Sequence, residues 1–408
     1  MKRILLILTA VCLAACHPVP QQGIRRVTPD RVGLDARHLS LIDSTVNASI
    51  RSGDIPGAVV GVVRHGQLAY EKAFGLKSVY PQEDSLTVES LFDLASLSKC
   101  VGTTICMMQL VERGQVRLVD PVSTYIPGFL PWVDPETGRP DAITVQDLLT
   151  HSSGLDAYLS SVPDYVERYG AGTPDSLVRY IATEAGRNFK PGTQQLYSCL
   201  NFITLQAILE KVTGQRLCDY AKAHVFDVLG LEHTTYFPLD GDAVRPDLAA
   251  LCAPTQVQED GSVLVAQVHD PIARIINRGN SGNAGLFSSV EDLAVICAAL
   301  LNDGAWNGRR ILAPQTVRKM FEVPADNAYE VARALGWDTY YTAPYTSGDI
   351  FEVRNTRGHT GYTGTSILLD PDTDMAVIIL AHRVHPYDEG SVSRLRSTIA
   401  SIAAASVR

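Results

Sequence analysis

Ser96-Leu97-Ser98-Lys99 stands where an apolar run begins and continues through Cys100, Val101, Ile105, Met108 and Leu110. The run is apolar enough to predict a buried helix opening at this tetrapeptide. On a helix, residues three apart share a face, so Ser96 and Lys99 meet by local geometry alone. A serine hydroxyl is a weak nucleophile near neutral pH and needs a base beside it. A lysine at the edge of a buried helix loses solvation, its pKa falls, and it can accept a proton. The same spacing also suits an N-capping serine followed by a surface lysine, and the tetrapeptide alone leaves both readings open.

Blocks further along the chain separate the two. Lys190-Pro191-Gly192-Thr193 reads as a turn, and after it come Tyr197-Ser198-Cys199 and the helical run from Leu200 to Leu205. Near the C-terminus stands Gly358-His359-Thr360-Gly361-Tyr362-Thr363-Gly364-Thr365, with a strand-like run after it. Three more blocks accompany these: Phe92-Asp93-Leu94-Ala95 before the serine, Leu148-Leu149-Thr150-His151-Ser152-Ser153-Gly154, and Asn283-Ala284-Gly285-Leu286-Phe287-Ser288. In this order and spacing they resemble the class C β-lactamase and penicillin-binding protein family, which includes serine esterases and D-amino-acid peptidases. The resemblance covers roughly residues 30 to 405, nearly the whole chain after its leader.

The pattern of elements agrees with it. Ala58 to Val63 is a buried strand, Arg64-His65-Gly66 a turn, and Gln67 to Phe74 a second strand pairing back. Thr365 to Leu369 and Met375 to Ala381 form a hairpin across Asp370-Pro371-Asp372-Thr373, in which Asp370 and Asp372 are turn residues. Val145 to Leu149, Leu200 to Val212, Val290 to Leu301 and the stretch from Glu389 to Ala405 read as helices. Strands at both ends around a helical middle predict an α+β fold. One antiparallel sheet is built from both chain ends, flanked by helices, with a mostly helical domain inserted. The expected sheet domain is 30–92 with 285–408, and the helical domain 93–284. The resemblance implies the same β-lactamase/transpeptidase-like fold, with a ligand cleft between the halves.

It also implies roles. Ser96 is the nucleophile, Lys99 its base, and Tyr197 the second member of the proton network. The backbone N–H groups of Ser96 and Tyr362 form the oxyanion hole, the second inferred by placing His359-Thr360-Gly361 on the family's Lys-Thr-Gly triplet. Thr360 and His359 then bind substrate, and Gly361 lets a substrate backbone approach the strand.

Two positions depart from the β-lactamase pattern. His359 replaces a lysine, so cationic character at that position should fade as pH rises from about 5.5 to 8, and affinity for anionic substrates with it. Cys199 stands where the family usually has asparagine, an amide that bridges the lysine and the substrate. A thiol donates and accepts weakly. Either Lys99 and the substrate amide are less well held, or Cys199 is a small buried residue and Asn201 fills in. His151 reads as structural, His269-Asp270 as a loop-ordering pair, and Trp132 and Trp337 as cleft lining or packing.

The length of 408 residues allows one large domain or two, and a hydrophobic content of 46% supports a full core. A net charge of −9 without a basic stripe argues against nucleic acid as a partner. Lys2 and Arg3 precede an apolar stretch, Ile4 to Val11, too short to span a bilayer. Leu13-Ala14-Ala15-Cys16 resembles a bacterial lipobox, which implies a signal peptide over 1–15, a lipid on Cys16 and a tether over 16–29. The alternative is an ordinary secretory signal with an incidental cysteine. The lipid reading gives a membrane partner and a place in the cell envelope, with His17 permissive for the periplasmic face of the outer membrane. Cys100, Cys106, Cys199, Cys218, Cys252 and Cys297 show no metal-ligand spacing and are expected to be mostly free, buried thiols. No cofactor is implied, and no feature fixes the oligomeric state.

The expected function is thus an envelope serine hydrolase working through a Ser96 acyl-enzyme on a small or peptidoglycan-derived substrate. A penicillin-binding-type D-amino-acid peptidase or an esterase with weak β-lactam turnover leads. A class C-like β-lactamase and a non-catalytic muropeptide-binding lipoprotein are the alternatives.

Overall fold

A computed structural model describes residues 23–238, 245–324, 332–339, 344–352 and 354–408. The expected signal peptide over 1–15 and Cys16 lie outside these residues. The six-stranded sheet comprises β1 (Gly57–Arg64), β2 (Gln67–Ser78), β3 (Asp84–Ser85), β4 (Arg357–Thr360), β5 (Ser366–Asp370) and β6 (Met375–Ala381), in the order β4-β5-β6-β1-β2-β3. The pairs from β4 through β6 and β1 to β3 are all antiparallel. β1 joins the two ends of the chain, pairing with β2 on one side and with β6 on the other, Ala58 opposite Ala381 and Arg64 opposite Met375.

β1 and β6 are apolar at nearly every position because both sheet faces are covered. Side chains alternate between faces. Val59 and Val63, with Ala376, Ile378 and Leu380, enter the larger core beneath α4 (Val290–Leu301). Ala58, Val60 and Val62, with Val377 and Ile379, enter a second core under α1 (Leu41–Arg51) and α5 (Ser393–Ala405). Helix α4 is apolar almost all round, as a helix wedged between layers must be. Its start is capped by Ser289, whose side chain accepts from the Asp292 N–H. Gly61 makes this approach possible, since a Cβ there would lie 2.5 Å from Val290 Cγ1.

The helical middle supplies α2 (Ile105–Glu112) and α3 (Cys199–Thr213), the latter ended by Gly214 in the left-handed region. A small sheet links this part to the site: Leu286–Ser288 pairs with Phe92–Asp93 on one side and with Thr235–Tyr236 on the other. Residues 24–27, read from sequence as part of a tether, instead pack on β2. Ile24 is buried, Val27 N–H donates to the Leu68 carbonyl, and Arg26 pairs with Glu71 at 2.8 Å and Glu291 at 3.0 Å. All six described cysteines are free, five of them buried, with Cys199 partly exposed.

Candidate active site

Ser96 sits on the turn between the Phe92–Asp93 strand and the helix beyond it. Ala95 immediately before it holds φ at 45°, which is uncommon for a residue with a Cβ. The surroundings impose this conformation. The buried Asp93 carboxylate accepts from the Ala95 N–H at 2.8 Å and from the His269 N–H at 2.7 Å. Leu94 N–H donates to the Leu286 carbonyl at 2.9 Å, and Ser98 Oγ accepts from the Leu286 N–H at 3.0 Å. From the other side, the hydroxyls of Thr363 and Thr365 donate to the carbonyls of Asp93 and Leu94 at 2.7 and 3.0 Å. Residues 98–104 then turn more widely than an α-helix, with Thr104 Oγ1 donating to the Lys99 carbonyl at 2.7 Å. Wide turns of this kind gather at functional sites.

Lys99 is fully buried, which excludes the surface-lysine reading. Its ammonium donates to Ser96 Oγ at 3.0 Å and to the Asn283 carbonyl at 2.7 Å, with Cys199 Sγ at 3.6 Å. The amine lies 5.0 Å from the centre of the Tyr197 ring. The Tyr197 hydroxyl is buried beside Ser96 and Lys99 without a well-formed hydrogen bond. The turn before Cys199 and the Asn283 block therefore converge on Ser96.

Charge in this cluster differs from the sequence expectation. Burial is the largest influence on Lys99 and lowers its pKa, as expected. The ionised forms of Cys199 and Tyr197 act against it, and the net direction is upward. Burial raises Tyr197 and Cys199 in turn, with Lys99 pulling both down. The phenol and the thiol are therefore neutral near pH 7.

His359, at the end of β4, is the second correction. Burial holds it down to about 4, so it is neutral across the whole range over which the sequence predicts titration. Its Nδ1 lies 2.9 Å from the Thr360 carbonyl, so Nδ1 carries the proton in the neutral ring. Gly361 lines the cavity and has a further role: a Cβ there would collide with the Leu94 carbonyl and Thr365 Oγ1, so the missing side chain also admits the nucleophile turn. Asn201 does not stand in for the family's asparagine. It accepts from Ser153 Oγ at 2.6 Å and lies 3.2 Å from His151 Nδ1, away from Lys99. The Asn283 carbonyl holds the lysine instead.

His151 is buried and stacks on Tyr197 with ring centres 4.3 Å apart, while its Nδ1 accepts from the Ser198 N–H at 3.0 Å. It sets the position of the tyrosine. His269 approaches Gln256 Oε1 at 3.1 Å, and Asp270 accepts from Tyr158 and from the Ala273 N–H. Both order the loop. Trp337 is fully buried against Phe321 and packs.

Ser96, Tyr197, His359, Thr360, Gly361 and Tyr362 line one cavity of about 410 Å³, together with Gln195, Asp338 and three arginines, Arg333, Arg383 and Arg396. Among the described residues, neither the Ser96 nor the Tyr362 N–H donates to another protein group. Arg383 donates to the Tyr362 carbonyl at 2.8 Å, and Arg396 to the carbonyls of Gly361 and Thr365 at 2.9 and 2.7 Å. Sequence reading missed the arginines, because none stands in a motif. Among the described residues no cluster of three His, Cys, Asp or Glu could hold a metal.

Known proteins resemble this chain in sequence or in fold. A protein from Salmonella paratyphi B named "Putative D-alanyl-D-alanine carboxypeptidase" is 29% identical over 405 residues, 94% of this chain and 90% of its own. The solved structure of EstCE1, described as a hydrolase with promiscuous acyltransferase activity, superposes with a TM-score of 0.70 at 23% identity, over 90% of this chain and 99% of that one. A penicillin-binding protein homologue from Caulobacter crescentus gives 0.69 at 16% identity, over 92% and 99%. These two likenesses are of fold. The sequence model of the family described as Beta-lactamase matches residues 42–399, so the chain belongs to that family and is one of its serine hydrolases.

Proposed function

We propose that the chain is a penicillin-binding-type peptidase that removes a C-terminal D-amino acid from peptidoglycan-derived peptides through a Ser96 acyl-enzyme. The observation that carries it is Ser96 Oγ at 3.0 Å from the buried Lys99 amine, in a cavity lined by three arginines. A carboxylate-ended peptide suits such a lining better than a neutral ester does. The relatives named for D-alanyl-D-alanine carboxypeptidase activity, at 29% identity over most of both chains, support the same class.

In this reading Lys99, once it has shed its proton, takes the Ser96 hydroxyl proton as Oγ attacks the scissile carbonyl. The N–H groups of Ser96 and Tyr362 receive the oxyanion. Tyr197 gives its phenol proton to the leaving amine and takes one back from the Lys99 ammonium, and water then releases the acyl group. Cys199 offers no amide to read the substrate's acylamino group, so β-lactams acylate Ser96 and leave slowly. The same feature supports a second reading, an esterase, whose substrates present no amide for an asparagine to read.

Assay of D-alanine release from diacetyl-lysyl-D-alanyl-D-alanine, beside aryl-ester and penicillin hydrolysis, tests these readings. Peptide turnover absent from Ser96→Ala, with slow penicillin turnover that rises about tenfold or more in Cys199→Asn, is the expected result. Ester turnover without peptide turnover would replace the peptidase with the esterase.

We also propose export and lipid attachment at Cys16, supported by the order Lys2-Arg3, Ile4 to Val11, Leu13-Ala14-Ala15-Cys16.

A further inference from the structure

Arg333 belongs to no motif singled out in the sequence, and its side chain is almost fully buried at 1% exposure. Its Nη1 pairs with the Asp338 carboxylate. Its Nε and Nη2 are buried with no hydrogen-bond partner. These two nitrogens form one edge of the guanidinium, the side-on edge whose parallel N–H bonds match the two oxygens of a carboxylate. Leaving buried donors of a charged group unmade is costly, and such groups in native proteins call for an explanation. Pairing with Asp338 uses Nη1 alone and does not account for the bare edge.

The position fits a ligand. Arg333 lines the same cavity as Ser96, Thr360 and Tyr362. Its Cζ lies 5.5 Å from the centre of the Tyr197 ring, against which the Lys99 amine lies at 5.0 Å. The guanidinium and the proton-transfer lysine thus lie against the same aromatic ring. The other two cavity arginines have backbone carbonyls to bind: Arg383 the Tyr362 carbonyl, Arg396 those of Gly361 and Thr365. His359 reaches the cavity as a buried ring hydrogen-bonded to its neighbour's carbonyl.

We propose that the Nε–Nη2 edge of Arg333 receives a carboxylate of the substrate, and that Arg333, in place of His359, is the residue by which this site selects acids over neutral esters and amides. The inference rests on the peptidase reading for the kind of acid, a peptide with a free C-terminal carboxylate. It adds the residue and the two-point contact that recognise it.

The test is calorimetric binding of N-acetyl-D-alanyl-D-alanine and of its C-terminal carboxamide to Ser96→Ala, which cannot turn either over. The acid should bind at least tenfold tighter than the amide. Adding Arg333→Gln should bring the two within twofold of each other while leaving the carboxamide's affinity in place. Arg333→Lys keeps the charge but loses the paired edge, and should leave a preference of threefold or less. It also carries the test if removal of the charge beside Asp338 unfolds the protein. Equal binding of acid and amide to Ser96→Ala, including binding of neither, would overturn the proposal, as would a tenfold preference that survives in either Arg333 variant. The functional reading fails separately, if Ser96 takes up no acyl group in the wild type.

Discussion

Ser96, Lys99 and Tyr197 were legible as single residues because their meeting depends on short-range geometry and on recognisable blocks. Their charge states were not. The pKa of Lys99 is set by Cys199 and Tyr197, which arrive from about a hundred residues downstream, so burial alone predicted the wrong direction. His359 failed for the same reason in the opposite sense. A histidine read as titrating between about pH 5.5 and 8 proves to be a buried neutral ring held down to about 4. Between pH 5.5 and 8 it has no proton to lose, so affinity for a carboxylate ligand should be flat over that range. A binding titration that weakens tenfold across it would restore the titrating histidine. Arg333 could not be found by motif at all, since only the tertiary fold brings it to Tyr197.

At the scale of elements, the strands and the long helices were readable from apolar runs. β1 and β6 are continuous apolar stretches, and α4 has helical spacing with a capping serine. The wide turn over 98–104 was not, because its cause is tertiary: Ser98 and Lys99 are held by Leu286 and Asn283, and the Asp93–Leu94 stretch before Ser96 is clamped by Thr363 and Thr365. Gly361 is the tightest point of that clamp. Gly361→Ala should displace the Leu94–Ser96 turn and lower kcat by about 100-fold or more, as a small misplacement of a nucleophile does. Circular dichroism should stay native. Wild-type kcat in a folded Gly361→Ala protein would show that the clamp does not position Ser96.

For the whole molecule, strands at both ends of a chain with a helical middle pointed to one sheet closed by its termini, and β1 between β2 and β6 is that closure. The closure buries histidines. His382 is held down to about 3 and His359 to about 4, both chiefly by burial, and His151 lies well below its ordinary value. As pH falls below the ordinary histidine value of about 6.5, the unfolded chain takes up protons that the folded chain refuses. Each such group then lowers stability by about 1.4 kcal/mol per pH unit until its folded value is reached. Asp93, raised to about 6 by burial, acts the other way between that value and the ordinary aspartate range, and offsets one histidine. The melting temperature should therefore fall steadily from pH 6.5 to 4. A flat or rising profile would mean that these rings are solvated in the folded state.

The central claim is that Ser96 forms a covalent acyl-enzyme. Intact-protein mass spectrometry after incubation with a fluorescent penicillin and a fluorophosphonate, on the wild type and on Ser96→Ala, tests it most directly. One adduct on the wild type, mapped by peptide analysis to Ser96, and none on the variant is the predicted result. An adduct that persists in Ser96→Ala, or a wild type that neither probe labels, would contradict it.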